Sequence, residues 1–222
     1  MLLVVTVAAC SGPEATTTEA GGMPAEFRIG YQVIPNAEVL AKNMGFAEAR
    51  FPDVDIQWIS FDSGRDVSAA MVSGGIEVGL AGSVPVSTTH FSLLAAIDKE
   101  GIDPAEVDIL DMQPQDMPAA WQRGDIDGGF VWQPTLSKML DADGTALITA
   151  KQLAEEGIIT ADLGIVSKEF AENYPDFLQG YVAALDEAVQ LYRNDPEAAA
   201  EAISAEIGLT PEESLKVMNE LV

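Results

Sequence analysis

Strand-like and helix-like hydrophobic patterns alternate along this chain, and the alternation restricts its fold more than any other sequence feature. Alternating or continuous short apolar patterns predict strands at residues 27–31, 54–59, 76–80, 107–110 and 129–132. Apolar residues spaced three or four apart predict helices at residues 37–49, 66–72, 90–99 and 118–122, and along the tail from Lys168. This order predicts an α/β protein whose sheet is covered by helices.

Two segments resemble each other at a spacing of fifty residues. Residues 69–80 and 119–130 are identical at five of twelve positions, and in each a helical pattern stops at a glycine before an apolar strand pattern. Chance similarity is one interpretation, because αβ units often end their helices at glycine. The other, which we favour, is a pseudo-repeat of two lobes, and a cleft between lobes is a common site for small ligands.

The beginning of the chain predicts export. An apolar run at residues 1–9 leads into Val7-Ala8-Ala9-Cys10, which resembles a lipobox, so Cys10 is the predicted lipidation site. Residues 10–25 then form a polar tether with few large apolar groups. Lys and Arg are absent before the apolar run, which departs from a standard signal, and a buried structural Cys is the alternative interpretation.

The composition excludes several kinds of partner. Eleven basic and 36 acidic residues give a net charge of −25, which disfavours nucleic acid and anionic lipid surfaces. With one Cys and one His, the chain has no pair for a disulfide and no cluster for a metal. The sequence therefore predicts neither a metal nor a cofactor, and His90 is interpreted as a first-turn helix residue.

Several motifs, in order from Phe27 to the end, resemble the taurine-type substrate-binding proteins of ABC importers. The two most specific are the blocks at residues 87–94 (STTHFSLL) and 120–128 (AWQRGDIDG). The others are Gly30-Tyr31-Gln32, the block at residues 61–66 (FDSGRD), Ser73-Gly74, Gly82-Ser83-Val84-Pro85 and Val131-Trp132-Gln133-Pro134.

The resemblance implies a bilobal periplasmic-binding-protein-like fold with two αβα lobes. The family has a further stretch, about 30 residues or more, between the Gly-Ser-x-Pro turn and the Ser-Thr-Thr-His helix. We therefore expect an incomplete second lobe, and the chain also ends at Val222 within a helical pattern. The predicted boundaries are residues 26–84 for the first part of lobe I, 85–160 for a reduced lobe II, and 161–222 for the return to lobe I.

A sulfonate needs converging hydrogen-bond donors, which helix N-termini supply. Hydroxyl residues and glycines stand before two predicted helices and after one buried strand. The predicted sulfonate-binding residues are Ser63, Gly64, Ser83, Ser87, Thr88 and Thr89. Each is also compatible with an ordinary N-cap.

The ammonium group of taurine needs an acid and aromatic faces. The resemblance places an acidic residue at Asp162, and we expect Tyr31 and Trp132 as cation–π walls and Gln32 as a hydrogen-bond partner. Trp132 is equally compatible with the core.

The sequence thus predicts a monomeric, exported lipoprotein, held at the membrane by a lipid anchor and facing the periplasm or the cell exterior. It would deliver taurine or a related small sulfonate to an ABC permease and its ATPase, and it would not be an enzyme. The alternatives are an enzyme or binder of the pyrimidine/thiamine-precursor family, and a degenerate, truncated binding protein without a ligand.

Overall fold

The computed structural model describes residues 22–82 and 88–220. Within these ranges four strands are β1 (Glu26–Gln32), β2 (Asp55–Phe61), β3 (Val78–Gly82) and β4 (Asp162–Val166). The α-helices are α1 (Ala37–Met44), α2 (Phe46–Arg50), α3 (Gly64–Val72), α4 (Thr88–Lys99), α5 (Met117–Arg123), α6 (Thr135–Leu140), α7 (Ala150–Glu155), α8 (Lys168–Asn173), α9 (Pro175–Asn194), α10 (Pro196–Ile207) and α11 (Pro211–Glu220). Short 3-10 helices span Pro104–Glu106 and Pro114–Asp116.

The four strands form one sheet in the order β2-β1-β3-β4. The central strand β1 pairs in parallel with both β2 and β3, and β4 lies antiparallel to β3. The predicted strands near residues 27–31, 54–59 and 76–80 are therefore confirmed. The α/β class is confirmed as well, because helices α1 and α3 connect the parallel strands.

Alternate residues of β1 face opposite sides of the sheet. Phe27 and Ile29 are fully buried under α9, where Phe27 packs against Phe177 and Tyr181 with ring centroids 4.8 and 5.1 Å apart. Burial of such side chains contributes about 2–3 kcal/mol each. This aromatic cluster therefore fixes the sheet against the C-terminal helices.

Helix α3 covers the other face of the sheet at close range. A Cβ atom at Gly79 would lie 2.5 Å from Val67 Cγ1 of α3, so a larger residue would force α3 away from β3. The glycine pattern of these strands thus sets the short distance between helix and sheet.

The C-terminal part of the chain returns to this sheet through β4 and the helices α8–α11. Asp195 caps α10 by accepting the N–H of Ala198 at 3.0 Å. Thr210 and Glu213 form a capping box ahead of α11, with bonds of 2.8 and 3.2 Å. The helical tail predicted from Lys168 is confirmed.

The predicted helix at residues 37–49 is wrong in one respect, because it is divided into α1 and α2. Gly45 lies between them with φ 67°, the left-handed conformation, and its N–H bonds to carbonyls of the last turn of α1. Glycine adopts this conformation without steric cost, so it ends α1 and lets the chain turn.

Residues 88–160 contain helices and no strand, so the predicted strands at 107–110 and 129–132 are wrong. A single strand needs a neighbour to satisfy its backbone groups, and this part of the chain has none in the described ranges. Apolar residues in this part of the chain stay exposed, Leu110 at 62% and Leu147 at 92%. Residues 88–160 therefore form no sheet, and their assignment to a reduced second lobe stays a prediction.

The two similar segments share the geometry of their turns. Gly74 and Gly124 both have φ 73°. The residues that follow, Gly75 and Asp125, donate to the carbonyls of Ala70 and Ala120 at 2.7 and 3.0 Å. The same helix stop is therefore built twice at a spacing of fifty, but a strand follows only the first copy.

Candidate ligand site at the carboxyl edge of the sheet

The three parallel strands end at one edge of the sheet, which we call the carboxyl edge. Their last residues are Gln32, Phe61 and Gly82. Because β4 runs the other way, its first residue, Asp162, pairs with Gly82 at the same edge. Ligands of open α/β sheets bind outside the carboxyl ends of strands. The topology thus brings Asp162 to the place where a site is expected.

Helix α3 presents its N-terminus to this edge. Gly64 begins the helix against β3, and a Cβ atom there would lie 3.2 Å from Ala81 Cα and 3.3 Å from the Gly82 backbone N. Ser63 is the N-cap residue, and its Oγ donates to Asp66 Oδ2 at 2.8 Å. Ser63 therefore acts as an N-cap in this structure, and its contact with a ligand stays a prediction.

Helix α1 presents a second N-terminus to the same edge. Its N-cap, Asn36, accepts the N–H of Val39 through Oδ1 at 2.9 Å. Asn36 Nδ2 is buried and has no hydrogen-bond partner. Unsatisfied buried donors are rare in folded proteins, so this amide is a donor available to an anion.

Two acidic residues of this part of the structure have perturbed carboxyl groups. Glu38 lies in the first turn of α1, and burial raises the pKa of its carboxyl. A hydrogen bond from its own backbone N–H opposes this rise, and the negative charge of Asp162 adds to it. Asp162 is exposed over much of its surface, yet desolvation by surrounding protein atoms raises the pKa of its carboxyl too. Both groups therefore retain protons more readily than ordinary acids.

Tyr31 and Gln32 precede this edge on β1 and have partners within the protein. The Tyr31 ring is buried on the face that α1 and α10 cover, with Lys42 Nζ 5.2 Å from its centroid. Gln32 Nε2 donates to the carbonyl of Leu80 at 3.3 Å. The Tyr31 ring thus contacts a cation of the protein itself. Its cation–π contact with a ligand stays a prediction.

Trp132 lies between α5 and α6, outside the four strands, and is half-buried. Its carbonyl accepts the N–H of Leu136 at 3.0 Å. The other tryptophan of this region, Trp121, donates through Nε1 to the carbonyl of Ala142 at 2.8 Å, which agrees with a packing role. The contact of Trp132 with a ligand stays a prediction.

The remaining predicted site residues lie outside the described residues or directly next to them. Cys10, Ser83 and Ser87 lie outside the described residues. Thr88 and Thr89 begin α4, whose first turn also includes His90. Among the residues that the structure describes, no group of three His, Cys, Asp or Glu side chains has the arrangement of a metal site.

Within residues 22–82 and 88–220, none of the helices combines the length and apolarity needed to cross a membrane.

Sequence reasoning missed Asn36 and Glu38. An Asn followed two residues later by Glu at the start of a helical pattern is a common N-terminal signal, which marks the helix start but not a site. Only the pairing of β4 with β3 brings Asp162 beside this helix. Asn36 and Glu38 can therefore be identified only from the tertiary structure.

Comparison with known proteins identifies relatives of this chain. A model of the NMT1-like family matches residues 62–207. The chain is similar to the taurine-binding periplasmic protein of Escherichia coli (strain K12), at 31% identity over 208 residues, which cover 72% of this chain and 64% of that protein. It is also similar to the putative aliphatic sulfonates-binding protein of the same organism, at 24% identity over 239 residues, covering 86% of this chain and 74% of the relative.

The solved structure of the alkanesulfonate-binding protein from Xanthomonas axonopodis pv. citri, bound to MOPS, has the same fold. Its TM-score is 0.82 at 22% identity, over 90% of this chain and 85% of that one. The likeness confirms the periplasmic-binding-protein-like fold predicted from the motifs.

The chain spans less than two thirds of the taurine-binding relative. The alignment extends over 208 positions but draws on only 72% of a 222-residue chain, so the relative has residues without a counterpart here. An internal gap has this effect on an alignment, and it agrees with the absence of a sheet among residues 88–160.

Proposed function

Because this chain belongs to the NMT1-like family, we propose that it is an extracytoplasmic solute-binding protein for taurine or a related small sulfonate. The observation that carries the proposal is the similarity to the taurine-binding relative. The carboxyl edge adds physical support, since helix N-termini and carboxyl groups meet there.

The sulfonate would be bound by donors of the two helix N-termini. The N-termini of α1 and α3, together with the unpaired Asn36 amide, favour an anion at this place. Ser63 and Gly64 border it from α3, and we assign Ser83, Ser87, Thr88 and Thr89 to the same group of donors. Gln32 and Trp132 complete the proposed contacts.

The ammonium would be bound by Asp162. A desolvated carboxylate at the start of β4 gains from a cation, because its charge is otherwise unpaired among the described residues. In this arrangement the two ends of a zwitterion would meet opposite charges at the carboxyl edge.

The proposal includes export and delivery. Cys10 would receive a lipid anchor and hold a monomer at the membrane, where an ABC permease with its ATPase would accept the sulfonate. Substitution of Cys10 by Ala should abolish incorporation of labelled fatty acid in cells. Undiminished labelling of the variant would contradict the anchor.

A reduced family member without a ligand is the second candidate. It is favoured by the strandless part at residues 88–160 and by the exposed Leu110 and Leu147, which a complete lobe would cover.

Calorimetric titration separates the two candidates. The chain should bind taurine and ethanesulfonate, and nitrate more weakly, because nitrate lacks the ammonium and the tetrahedral oxygens. Absence of heat with all three ligands, for a chain that circular dichroism shows to be folded, would support the ligand-free member and overturn the proposed function.

A further inference from the structure

The chain contains two Asp-Gly steps, Asp127-Gly128 and Asp143-Gly144. At such a step the backbone nitrogen of the glycine can attack the side-chain carboxyl carbon of the aspartate and close a five-membered succinimide ring. Glycine favours this reaction because it has no Cβ atom to hinder the approach and because its backbone rotates freely. The two steps are equivalent in sequence, but the structure places them in different environments.

The second step is held by the end of helix α6. Asp143 lies in the turn that follows this helix, and the N–H of Gly144 donates to the carbonyl of Met139 at 3.0 Å. Gly144 also packs tightly against the same residue, since a Cβ atom added there would lie 2.5 Å from the Met139 carbonyl oxygen. The attacking nitrogen must give up its hydrogen bond before a ring can close, so the turn protects Asp143.

The first step has no such protection. Asp127 and Gly128 are both exposed and lie between α5 and α6, in a segment that is neither helix nor strand. Within residues 22–82 and 88–220, the Gly128 N–H makes no hydrogen bond, and the Asp127 carboxylate has neither a hydrogen bond nor an ion pair. Apart from the adjacent residues, no atom lies within 4 Å of a Cβ atom placed at Gly128. The surroundings therefore do not resist the rotation of the backbone that ring closure requires.

We propose that Asp127 is a modification site at which the chain forms isoaspartate without an enzyme. The Gly128 nitrogen bonds to Cγ of the protonated Asp127 carboxyl, and the hydroxyl oxygen leaves as water, which takes up the amide proton. A second water then opens the succinimide at either carbonyl carbon. Cleavage of the bond between the nitrogen and Cγ returns aspartate. Cleavage of the bond between the nitrogen and the main-chain carbonyl carbon gives isoaspartate, so one water is released, one is consumed, and no oxidant or reductant is needed.

The product changes the backbone between α5 and α6. Isoaspartate adds one carbon atom to the main chain and moves the carboxylate. Asp127 and Gly128 end the block at residues 120–128, and Trp132, a proposed ligand contact, follows four residues after Gly128. The inference is independent of the proposed function, because the reaction involves no ligand.

The test is to store the intact, folded chain at mildly acidic pH and to follow both steps by mass spectrometry. Trypsin cleaves after basic residues, so the two steps fall in different peptides, residues 124–138 and 139–151. Isoaspartate leaves the mass of a peptide unchanged but alters its chromatographic retention, and electron-transfer fragmentation locates the modified residue. We expect isoaspartate to accumulate about fivefold faster at Asp127 than at Asp143, the factor that one hydrogen bond provides. Equal rates, or a faster reaction at Asp143, would overturn the inference.

Two controls assign the difference to the structure. In guanidinium chloride the unfolded chain lacks the hydrogen bond of Gly144, so the two rates should become equal. Gly128→Ala keeps Asp127 and introduces a Cβ atom that meets no neighbour, so the folded variant should form almost no isoaspartate at Asp127 and an unchanged amount at Asp143. A difference that persists in the unfolded chain, or an unchanged rate at Asp127 in the variant, would contradict the inference.

Discussion

The hydroxyl of Tyr31 donates a hydrogen bond to Glu206 Oε1 at 2.7 Å, across 175 positions of the chain. The second carboxylate oxygen of Glu206 accepts from Lys42 Nζ at 2.8 Å. These contacts join β1, α1 and α10, so the C-terminal helices hold the strand that ends at the candidate site.

Substitution of Tyr31 by Phe tests this connection. The change removes one hydrogen bond to a partly buried carboxylate and keeps the ring, so the free energy of unfolding should fall by about 1–2 kcal/mol. Urea unfolding measures the effect. Tyr174→Phe is the matched control, because the Tyr174 hydroxyl makes no hydrogen bond in the described ranges while its ring packs against Phe170. Equal stability of both variants would show that the Tyr31 contact contributes nothing.

The raised pKa values of Glu38 and Asp162 predict how stability depends on pH. The folded chain holds protons on these acids at pH values where the unfolded chain, with ordinary values of 4.5 and 3.8, has released them. Their contribution to the free energy of unfolding therefore increases as the pH falls from the raised folded pKa values toward those ordinary values.

Glu206 has the opposite dependence. Burial works against ionisation, but hydrogen bonds from Lys42 and Tyr31 lower the pKa of its carboxyl overall. The contribution of Glu206 to the free energy of unfolding is present above pH 4.5 and is lost as the pH falls through the lowered folded pKa.

Glu38→Gln should flatten the increase in stability that Glu38 causes as the pH falls, measured by unfolding at a series of pH values above 4.5. An identical pH profile in the variant would refute the assignment to Glu38.

Gly64 is expected to tolerate no side chain. Alanine there would place Cβ 3.2 Å from Ala81 Cα, which is backbone and cannot move aside easily. We expect Gly64→Ala to lower the free energy of unfolding by about 1–3 kcal/mol and to displace α3 from the edge. Gly128→Ala is the control, since no atom lies within 4 Å of its added Cβ. Comparable losses in the two variants would disprove the packing argument.

Asp162→Ala should separate the two ends of the ligand. Loss of the acid removes the counter-charge for the ammonium, so the Kd for taurine should increase by about tenfold or more. Ethanesulfonate has no amine, and its Kd should change by less than about twofold. Calorimetry measures both values, and parallel losses would mean that Asp162 has another role.

Local sequence patterns predicted strands correctly where another strand pairs with them. The alternation from Phe27 and the apolar run before Gly82 become strands because each has a parallel neighbour. The pattern at residues 129–132 is similar, yet it forms no strand, because no partner strand lies beside it in the described part of the chain. Strand formation depends on neighbours distant in sequence, which one pattern does not reveal.

The site was predicted in part for the same reason. Gly64 and Asp162 were expected at a ligand site, and the sheet brings both to its carboxyl edge. The approach of Glu38 to Asp162 arises only when β4 pairs with β3, 124 positions after Glu38 in the chain. The sequence predicted that the Tyr31 ring would face a ligand. Its partners in the structure depend on which face of the sheet α10 covers, which the sequence pattern does not reveal.

The most direct test of a sulfonate site at the carboxyl edge is a map of backbone amide shifts in an isotope-labelled chain during titration with taurine. We expect saturable changes at Gln32, Asn36, Gly64, Gly82 and Asp162, with little change along α9 and α11. Absence of saturable changes, or changes confined to residues outside the edge, would contradict the account.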